Sequence, residues 1–200
     1  SVSDGNGGTA TGTVSITVIS VNDDPVIMVT PVTTQEDTSV NGTATATDVD
    51  GDALTFSKGS DPSHGTVDVH SDGSYVYTPA KDYNGDDNFT ISVSDGNGGA
   101  ASATVTVTIT PVNDAPVLTA TPVTTQEDMP LNGSVTATDV DGDALTFTKD
   151  SDPLHGTVVF NSDGTYTYTP ATDYHGDDSF MVSVSDGNGG TATGTVSITV

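Results

Sequence analysis

One octapeptide, Ser-Val-Ser-Asp-Gly-Asn-Gly-Gly, occurs three times in this chain of 200 residues and constrains its fold more than any other feature. It begins at Ser1, Ser92 and Ser183, so the sequence repeats every 91 residues. Repeats of solenoid proteins are about 20–50 residues long and cannot fold without their neighbours. A repeat of about 90 residues is instead the size of an independent β-sandwich domain. The period therefore predicts tandem domains.

The repeat frame divides the chain into three parts. We expect residues 1–22 to be the terminal strand of a preceding repeat, residues 23–113 to be a complete repeat, and residues 114–200 to be a second, nearly complete repeat. Residues 1–18 are identical in sequence to residues 183–200. Because one strand cannot form a domain, we expect residues 1–18 to be disordered or paired with the open edge of another molecule. The whole is interpreted as part of a longer tandem array.

Apolar and polar residues alternate along the repeat, as in residues 104–109, where threonine alternates with valine and isoleucine. This period of two is typical of half-buried strands, and no stretch has the period of a helix. Glycine, aspartate, asparagine and proline separate seven strand candidates in the first complete repeat. They cover about 26–35, 40–48, 53–57, 65–70, 74–78, 87–94 and 100–110.

This pattern predicts an all-β fold of tandem seven-stranded antiparallel Greek-key β-sandwiches, arranged end to end. The core of the first complete repeat is predicted to contain ten inward-facing residues. They are Leu54, Phe56, Val67, Tyr75, Tyr77, Phe89, Ile91, Val93, Val105 and Val107.

Charge excludes several classes of function. The chain has 28 acidic residues, three lysine or arginine residues and a formal net charge of −25. Nucleic-acid binding and attraction to an anionic membrane both need a basic surface, so neither is expected. No apolar run approaches the roughly 20 residues needed to cross a bilayer, and the absence of cysteine excludes disulfides and zinc-thiolate sites.

The acidic residues recur at defined places. Asp48 and Asp50 follow the second predicted strand, and residues i and i+2 of an extended segment point to one side, so both carboxylates could face one ion. Asn113 and Asp114 lie in the short linker between the two repeats. Glu36 and Asp82 follow the first and fifth strands, at the end of the domain that meets this linker. Oxygen ligands without histidine or cysteine favour a hard cation, and Ca²⁺ takes six to eight of them.

At this point the chain resembles cadherin-type repeats, specifically the bacterial cadherin-like tandem domains of giant secreted adhesins of the RTX type. Five motifs occur in the order found in that family. They are Thr34-Gln35-Glu36-Asp37, Ala46-Thr47-Asp48-Val49-Asp50 with Ala137-Thr138-Asp139-Val140-Asp141, the acidic residue Asp82, Val93-Ser94-Asp95 with Val184-Ser185-Asp186, and Val112-Asn113-Asp114-Ala115-Pro116. The segment Pro79-Ala80-Lys81 departs from the family pattern and lacks one carboxylate.

The resemblance implies a cadherin-like or immunoglobulin-like sandwich that binds Ca²⁺ between successive domains. Three sets of ligands are implied. The junction between the repeats would use Glu36, Asp82, Asn113, Asp114, Asp139, Asp141 and Asp186; the outer end of the first repeat would use Asn22, Asp23, Asp48, Asp50 and Asp95; the far end of the second would use Glu127 and Asp173.

The resemblance further implies a non-enzymatic extender or adhesion module of a secreted or cell-surface protein, of the kind found in biofilm adhesins and homophilic cell adhesion. Its partners would be neighbouring repeats of the same chain, with a cell-surface or glycan target bound through domains outside this segment. Two alternatives remain open. One is direct binding of carbohydrate or of an identical repeat, and the other is an accessory domain of a secreted hydrolase.

Two further motifs are assigned structural roles. The recurring His64 and His155 follow Asp-Pro and are interpreted as imidazoles that cap a turn rather than as metal ligands. The glycine-rich segment 95–99 joins two predicted strands and precedes no helix, so it is interpreted as a hairpin turn and not as a phosphate-binding loop.

Overall fold

All 200 residues are described by a computed structural model, and its only regular elements are β-strands. The all-β prediction is therefore confirmed. The chain forms two compact units, Ser1–Thr110 and Pro111–Val200. No helix capable of spanning a membrane is present.

The strands of the first unit include a short N-terminal hairpin and nine further segments. They are β1 (Val2–Ser3), β2 (Thr9–Ala10), β3 (Val26–Met28), β4 (Val32–Gln35), β5 (Val40–Thr43), β6 (Thr45–Thr47), β7 (Thr55–Ser60), β8 (Gly65–Val69), β9 (Ser74–Pro79), β10 (Gly85–Ser94) and β11 (Ala100–Thr110).

The second unit repeats the nine segments. They are β12 (Val117–Thr119), β13 (Val123–Thr124), β14 (Leu131–Ser134), β15 (Thr136–Thr138), β16 (Thr146–Lys149), β17 (Gly156–Phe160), β18 (Thr165–Pro170), β19 (Asp177–Ser185) and β20 (Thr191–Thr199).

Each unit is a two-layer sandwich. In the first unit one layer has the strand order β4-β11-β10-β7, and the other contains the sheets β5-β9-β8 and β3-β6. Strands β5 and β6 are separated only by Ala44, whose backbone N–H donates to the carbonyl of Gly73. The second unit has the same order, with β13-β20-β19-β16 in one layer and β14-β18-β17 and β12-β15 in the other.

The first predicted strand, 26–35, is two strands in different layers. Its first half, β3, pairs antiparallel with β6, whereas its second half, β4, pairs parallel with β11. The break contains Pro31, which has no N–H to donate to a ladder. The prediction of purely antiparallel pairing is therefore wrong at β4 and at the equivalent β13, which pairs parallel with β20.

The predicted core of the first repeat is confirmed at nine of its ten positions, which are all buried, while Leu54 is partly buried and packs against them. Ala44 and Ile109 complete the cluster. Aromatic rings occupy its centre, where Tyr75 meets Phe89 edge to face with ring centroids 5.2 Å apart. Because strands alternate inward and outward residues, the apolar half of each strand faces this core.

Residues 1–24 lie outside the sandwich and are exposed throughout. Strands β1 and β2 form an isolated hairpin in which Val2 pairs with Ala10 and Ser3 with Thr9. The identical sequence in the second unit has the same register, with Val184 opposite Ala192. The N-terminal segment thus keeps the local structure of a sandwich hairpin without a sandwich to cover it.

Candidate metal centre

The segment Asp48-Val49-Asp50-Gly51-Asp52 forms a turn immediately after β6 and is not the extended pair expected from the sequence. Asp48 Oδ1 accepts hydrogen bonds from the backbone N–H of Asp50 at 2.9 Å and of Asp52 at 3.3 Å. Gly51 has φ 79°, a conformation that favours glycine. The turn brings one carboxylate oxygen each from Asp48, Asp50 and Asp52 within 4.8 Å of one another.

The linker that enters the first unit is hydrogen-bonded to this end of the sandwich. The backbone N–H of Asp23 donates to Asp50 Oδ2 at 2.8 Å. The Asn22 side chain donates to Asp95 Oδ2 at 2.7 Å. Asp95 is buried, and its Oδ1 accepts from the backbone N–H of Asn97 and Gly99. The five residues predicted for this end are therefore brought together.

The second unit has the same arrangement around its own linker. Asn113 donates to Asp186 Oδ2 at 2.8 Å, and the backbone N–H of Asp114 donates to Asp141 Oδ2 at 2.8 Å. Carboxylate oxygens of Asp139, Asp143 and Asp186 lie within 4.8 Å of one another. Asp143 was not predicted as a ligand, although the recurrence of Asp-x-Asp-Gly-Asp in both repeats was a signal that could have identified it.

One oxygen in each turn is buried without a hydrogen-bond partner. These are Asp48 Oδ2 and Asp139 Oδ2, the first acid of each motif. An unpaired buried carboxylate oxygen is costly and calls for a compensating ligand. An all-oxygen donor set around such an atom is what Ca²⁺ prefers, so the residues present fit this ion.

A glycine at the end of each hairpin loop lets the linker approach closely. A Cβ on Gly190 would lie 2.1 Å from Asp186 Oδ2 and 2.8 Å from Ala115 Cα. A Cβ on Gly99 would lie 2.2 Å from Asp95 Oδ2 and 2.9 Å from Asp24 Oδ1. Segment 95–99 is thus a hairpin turn, as predicted, that also holds the linker.

The buried aspartates of these loops stay ionised more readily than an ordinary aspartate. The Asn22 side-chain hydrogen bond and backbone N–H donors in the loop hold the pKa of Asp95 below its usual value, although burial opposes them. The pKa of Asp186 is lowered in the same way, chiefly by Asn113. Both groups are therefore charged oxygen donors at neutral pH.

The remaining predicted ligands lie at the opposite end of each unit. In the first unit, Glu36 follows β4 and its backbone N–H donates to the carbonyl of Thr110. Asp82 has φ 55° and donates its N–H to Asp37 Oδ1 at 3.0 Å. Its carboxylate is paired with Lys81 Nζ at 2.6 Å, so this carboxylate already has a cationic partner.

The corresponding end of the second unit carries Glu127 and Asp173. The N–H of Asp173 donates to Asp128 Oδ1 at 3.2 Å, which repeats the contact at Asp82. Glu127 Oε2 lies 4.0 Å from His175 Nδ1, and both side chains are exposed. Threonine replaces Lys81 here, so the ammonium partner is specific to the first unit.

Each unit has a buried aspartate, Asp87 or Asp178, that the sequence did not predict as a functional residue. The prediction that the imidazole of the nearby histidine caps a turn is wrong. The backbone N–H of His64, not its imidazole, bonds to Asp87 Oδ2 at 2.9 Å. The imidazole instead stacks on Tyr83 with centroids 4.0 Å apart. His155 and Tyr174 repeat the stack at 4.2 Å. The signal for Asp87 was its position two residues before the inward-facing Phe89.

Two protein-family models match the chain, one over each unit. Residues 22–111 match the family model of a bacterial cadherin-like domain, and residues 113–199 match that of a bacterial Ig domain. The first unit is therefore similar in sequence to bacterial cadherin-like domains, and the second is similar to bacterial Ig domains. No curated protein sequence matches the chain.

Two solved cadherin structures share the fold of these units. Human Protocadherin-24 EC1-2 has a TM-score of 0.54 and 19% identity, with 90% of this chain and 98% of that chain covered. Human CDH23 EC21-23 has a TM-score of 0.54 and 17% identity, with 90% and 65% covered. The endo-fucoidan hydrolase MfFcnA4 from glycoside hydrolase family 107 has a TM-score of 0.40 and 23% identity, with 88% of this chain and 28% of that chain covered. At these identities the likeness to the two cadherin structures concerns the fold alone. The chain spans little more than a quarter of the hydrolase.

Proposed function

We propose that the chain is a non-enzymatic, calcium-rigidified extender module of a larger secreted or cell-surface adhesion protein. One observation carries the proposal: each unit holds its incoming linker beside a cluster of carboxylates that contains an unpaired buried oxygen. A hard cation bound at this cluster would therefore contact both the linker and the domain that the linker enters.

Electrostatics explains why a cation would stiffen such a chain. Two carboxylates about 4 Å apart repel by roughly 4 kcal/mol at an effective dielectric constant near 20. The clusters of the two units hold three carboxylates each, with oxygens within 4.8 Å. Ca²⁺ would neutralise this repulsion and would bind linker and domain oxygens together, so the linker would lose freedom relative to its domain.

The junction between the units is proposed as a second place for Ca²⁺, and this part rests on the order of the residues along the chain and on the family resemblance. Glu36 and Asp82 belong to the end of the first unit from which the linker leaves. Asn113, Asp114, Asp139, Asp141 and Asp186 belong to the linker and the start of the second unit. Calcium at this junction would set the angle between domains.

The wider context follows from the domain types. Cadherin-like and immunoglobulin-like domains are typical of extracellular proteins, where Ca²⁺ is present at millimolar concentration and low-affinity sites are filled. Tandem domains then act as spacers, while the adhesion target is bound by domains elsewhere in the protein. An RTX-type biofilm adhesin is the protein class that we infer for this segment.

The first test compares the whole chain in millimolar Ca²⁺ and in chelator. We expect Ca²⁺ to raise the melting temperature, and we expect small-angle scattering to give a longer, narrower distance distribution. Replacing both Asp139 and Asp141 with alanine should remove most of the response of the second unit, because two of its carboxylates are lost.

Asp68→Ala is the matched control, since it removes a carboxylate from the exposed side of β8 at a position where the second unit has Val159. This variant should respond to Ca²⁺ like the parent chain. Identical melting temperatures and scattering profiles with and without Ca²⁺ would contradict the proposed function.

A further inference from the structure

We propose that the asparagines at the tips of the hairpin loops, Asn6, Asn97 and Asn188, are sites of spontaneous deamidation, and that Asp143 protects Asn188 from it. All three belong to the repeated octapeptide, so each is followed by glycine in the same local sequence. The inference concerns modification of the loops that hold the linkers, and it does not depend on the calcium binding in the proposed function.

The reaction needs an asparagine whose side chain can reach the next backbone nitrogen. That nitrogen attacks the side-chain carbonyl carbon Cγ and forms a C–N bond, while the C–NH₂ bond breaks and ammonia leaves with the proton that the backbone nitrogen gives up. Water then opens the five-membered succinimide at either carbonyl and gives aspartate or isoaspartate. Glycine after the asparagine favours the attack, because it has no Cβ to obstruct the ring and its backbone is less restricted.

The loop tips leave this approach open. Asn6, Asn97 and Asn188 are exposed. The glycines that follow them have φ values of 96°, 111° and 116°, and a Cβ placed on any of these glycines would meet no atom within 4 Å. Each asparagine side chain therefore has room to turn toward the glycine nitrogen.

Three other Asn-Gly pairs of the chain are held in strands. They are Asn41-Gly42 in β5, Asn84-Gly85 at the start of β10 and Asn132-Gly133 in β14. Each of these glycines is paired with a neighbouring strand. The ladder fixes the backbone on which the attacking nitrogen lies, so the ring can close only after the strands separate locally. The fold thus divides six pairs that have the same two residues.

Asn188 differs from its two counterparts in its side-chain contact. Its amide nitrogen donates to Asp143 Oδ2 at 2.8 Å, and the backbone N–H of Gly189 donates to Asp186 Oδ1 at 3.0 Å. The group that must leave and the nitrogen that must attack are therefore both held. Deamidation at Asn188 requires the side chain to leave Asp143 first.

Asn97 occupies the same loop position without this contact. Its backbone N–H donates to Asp95 Oδ1 at 2.8 Å, and no hydrogen bond joins its amide to Asp52, the counterpart of Asp143. Asn6 likewise bonds through its backbone N–H, to Asp4 Oδ1 at 2.9 Å. We therefore expect Asn6 and Asn97 to react before Asn188.

Deamidation of Asn97 would loosen the contact between loop and linker. Asp95 accepts from the backbone N–H of Asn97 and Gly99, and from the side chain of Asn22 in the linker. Isoaspartate carries the main chain through the former side chain and so lengthens the loop. The backbone donors would then move relative to Asp95, and the carboxylate that binds Asn22 would be less well fixed.

The test ages the whole chain in chelator at mildly alkaline pH and follows each Asn-Gly peptide by mass spectrometry, because replacement of NH₂ by OH changes the mass. We expect Asn6 and Asn97 to react fastest. Asn188 should react about fivefold more slowly, which is the factor by which a net hydrogen bond typically holds its donor. The three pairs in strands should stay unmodified over the same time. In denaturant the three loop asparagines should react equally, because their octapeptides are identical.

Matched variants test the protection by Asp143. Asp143→Ala frees the amide and should raise the rate at Asn188 to that at Asn97, whereas Asp143→Asn keeps an accepting oxygen and should leave Asn188 slow. Asp52→Ala is the control in the first unit and should not change the rate at Asn97. Reaction at Asn132 would reveal any variant in which the second unit unfolds.

Two results would overturn the inference. One is reaction of the strand pairs as fast as Asn97 in the folded chain, and the other is an unchanged rate at Asn188 in Asp143→Ala. Ageing should also lower the melting temperature of the first unit in the parent chain but not in Asn97→Gln, whose longer side chain cannot form the five-membered ring. All of these measurements are made without Ca²⁺, so failure of the inference leaves the proposed function standing, and the converse also holds.

Discussion

At the scale of single residues, the most constrained acid outside the metal centre is Asp87, together with its counterpart Asp178. Asp87 is only 4% exposed. It accepts from Tyr77 Oη at 2.8 Å and from the backbone N–H of Ser63, His64 and Asn88 at 2.8–3.0 Å. The carboxylate therefore joins the β7–β8 loop to β9 and β10, and its burial is compensated by four donors.

Loss of this carboxylate should destabilise the first unit. In Asp87→Asn the new NH₂ group would face N–H and O–H donors, so we expect a loss of about 1–3 kcal/mol in the free energy of unfolding. Denaturant titration in chelator would measure it. Asp86→Asn is the control, because the exposed carboxylate of Asp86 accepts a hydrogen bond from Thr108 Oγ1 at the surface, and its loss should change stability by less than about 0.5 kcal/mol. Equal effects of the two variants would contradict this role.

The same network predicts a dependence on pH. Burial raises the pKa of Asp87, but the hydrogen bonds from Tyr77 and the three backbone N–H groups outweigh it, so the pKa lies below its ordinary value of 3.8. A lowered pKa stabilises the folded state above pH 3.8, and this stabilisation is lost as the pH falls through the folded-state pKa. The difference in unfolding free energy between the parent chain and Asp87→Asn should therefore be constant above about pH 5 and shrink below 3.8. A constant difference down to pH 2 would argue against this explanation.

Asp87 also marks a limit of prediction from sequence. The alternation that correctly placed Phe89 and Ile91 in the core places Asp87 on the same side of β10. An acid at such a position needs donors, and two of the four come from Ser63 and His64, more than twenty residues away in sequence. The pattern could identify the buried position, whereas the partners depend on a long-range contact that periodicity does not encode.

At the scale of elements, the hairpin loops β10–β11 and β19–β20 are the parts that connect the sandwich to its linker. The strand pattern predicted the hairpins, and the recurring acids predicted which linker residues lie against these loops. Neither signal predicted that the chain passes from one layer to the other at the break containing Pro31. Neither predicted that the Asp-x-Asp-Gly-Asp segment is a turn. The change of layer depends on which strand offers a free edge, and this is decided by the whole sandwich. The turn is instead closed by local hydrogen bonds to Asp48 Oδ1.

Gly190→Ala tests the contact between loop and linker. The added Cβ would lie 2.1 Å from Asp186 Oδ2 and 3.0 Å from the carbonyl oxygen of Asp114, so the linker must move away. We expect the second unit to lose about 1–3 kcal/mol and to bind Ca²⁺ more weakly, as measured by thermal melting in chelator and by calorimetric titration.

Gly8→Ala is the control with the same local sequence. In the free N-terminal hairpin the new Cβ would meet only the side chain of Asp4, because no linker packs there. Melting of the second unit should not change in this variant. If Gly190→Ala also has no effect, the close approach of the linker is not needed for stability.

At the scale of the whole molecule, one sequence of 18 residues occurs in two environments. Val196 and Ile198 are each 1% exposed in the core of the second unit, whereas their counterparts Val14 and Ile16 are 84% and 82% exposed. Local structure at the hairpin tip is the same in both copies. Burial is therefore supplied by the rest of the sandwich and not by the segment, which explains why periodicity could predict the strand but not its environment.

Deleting each copy in turn should give opposite results. Removing residues 183–200 takes away Val184, Val196 and Ile198, each worth about 1.5–3 kcal/mol when buried. Their sum is comparable to the roughly 5–15 kcal/mol that stabilises a typical domain. We therefore expect the second unit to lose its cooperative unfolding transition in calorimetry, with the measurement made in chelator so that the loss of Asp186 as a ligand does not contribute.

Removing residues 1–18 deletes the same side chains and the same charge, so it is a control matched in composition. These residues are exposed, and the first unit closes its sandwich with its own β11, in which Val105 and Val107 are buried. We expect its unfolding free energy to change by less than about 0.5 kcal/mol. Solubility should rise, because four exposed apolar side chains are removed, namely Val2, Val14, Ile16 and Val18. A large loss of stability after deletion of residues 1–18 would mean that the N-terminal segment packs on the first unit in solution. Unchanged unfolding of the second unit after deletion of residues 183–200 would mean that β20 is dispensable.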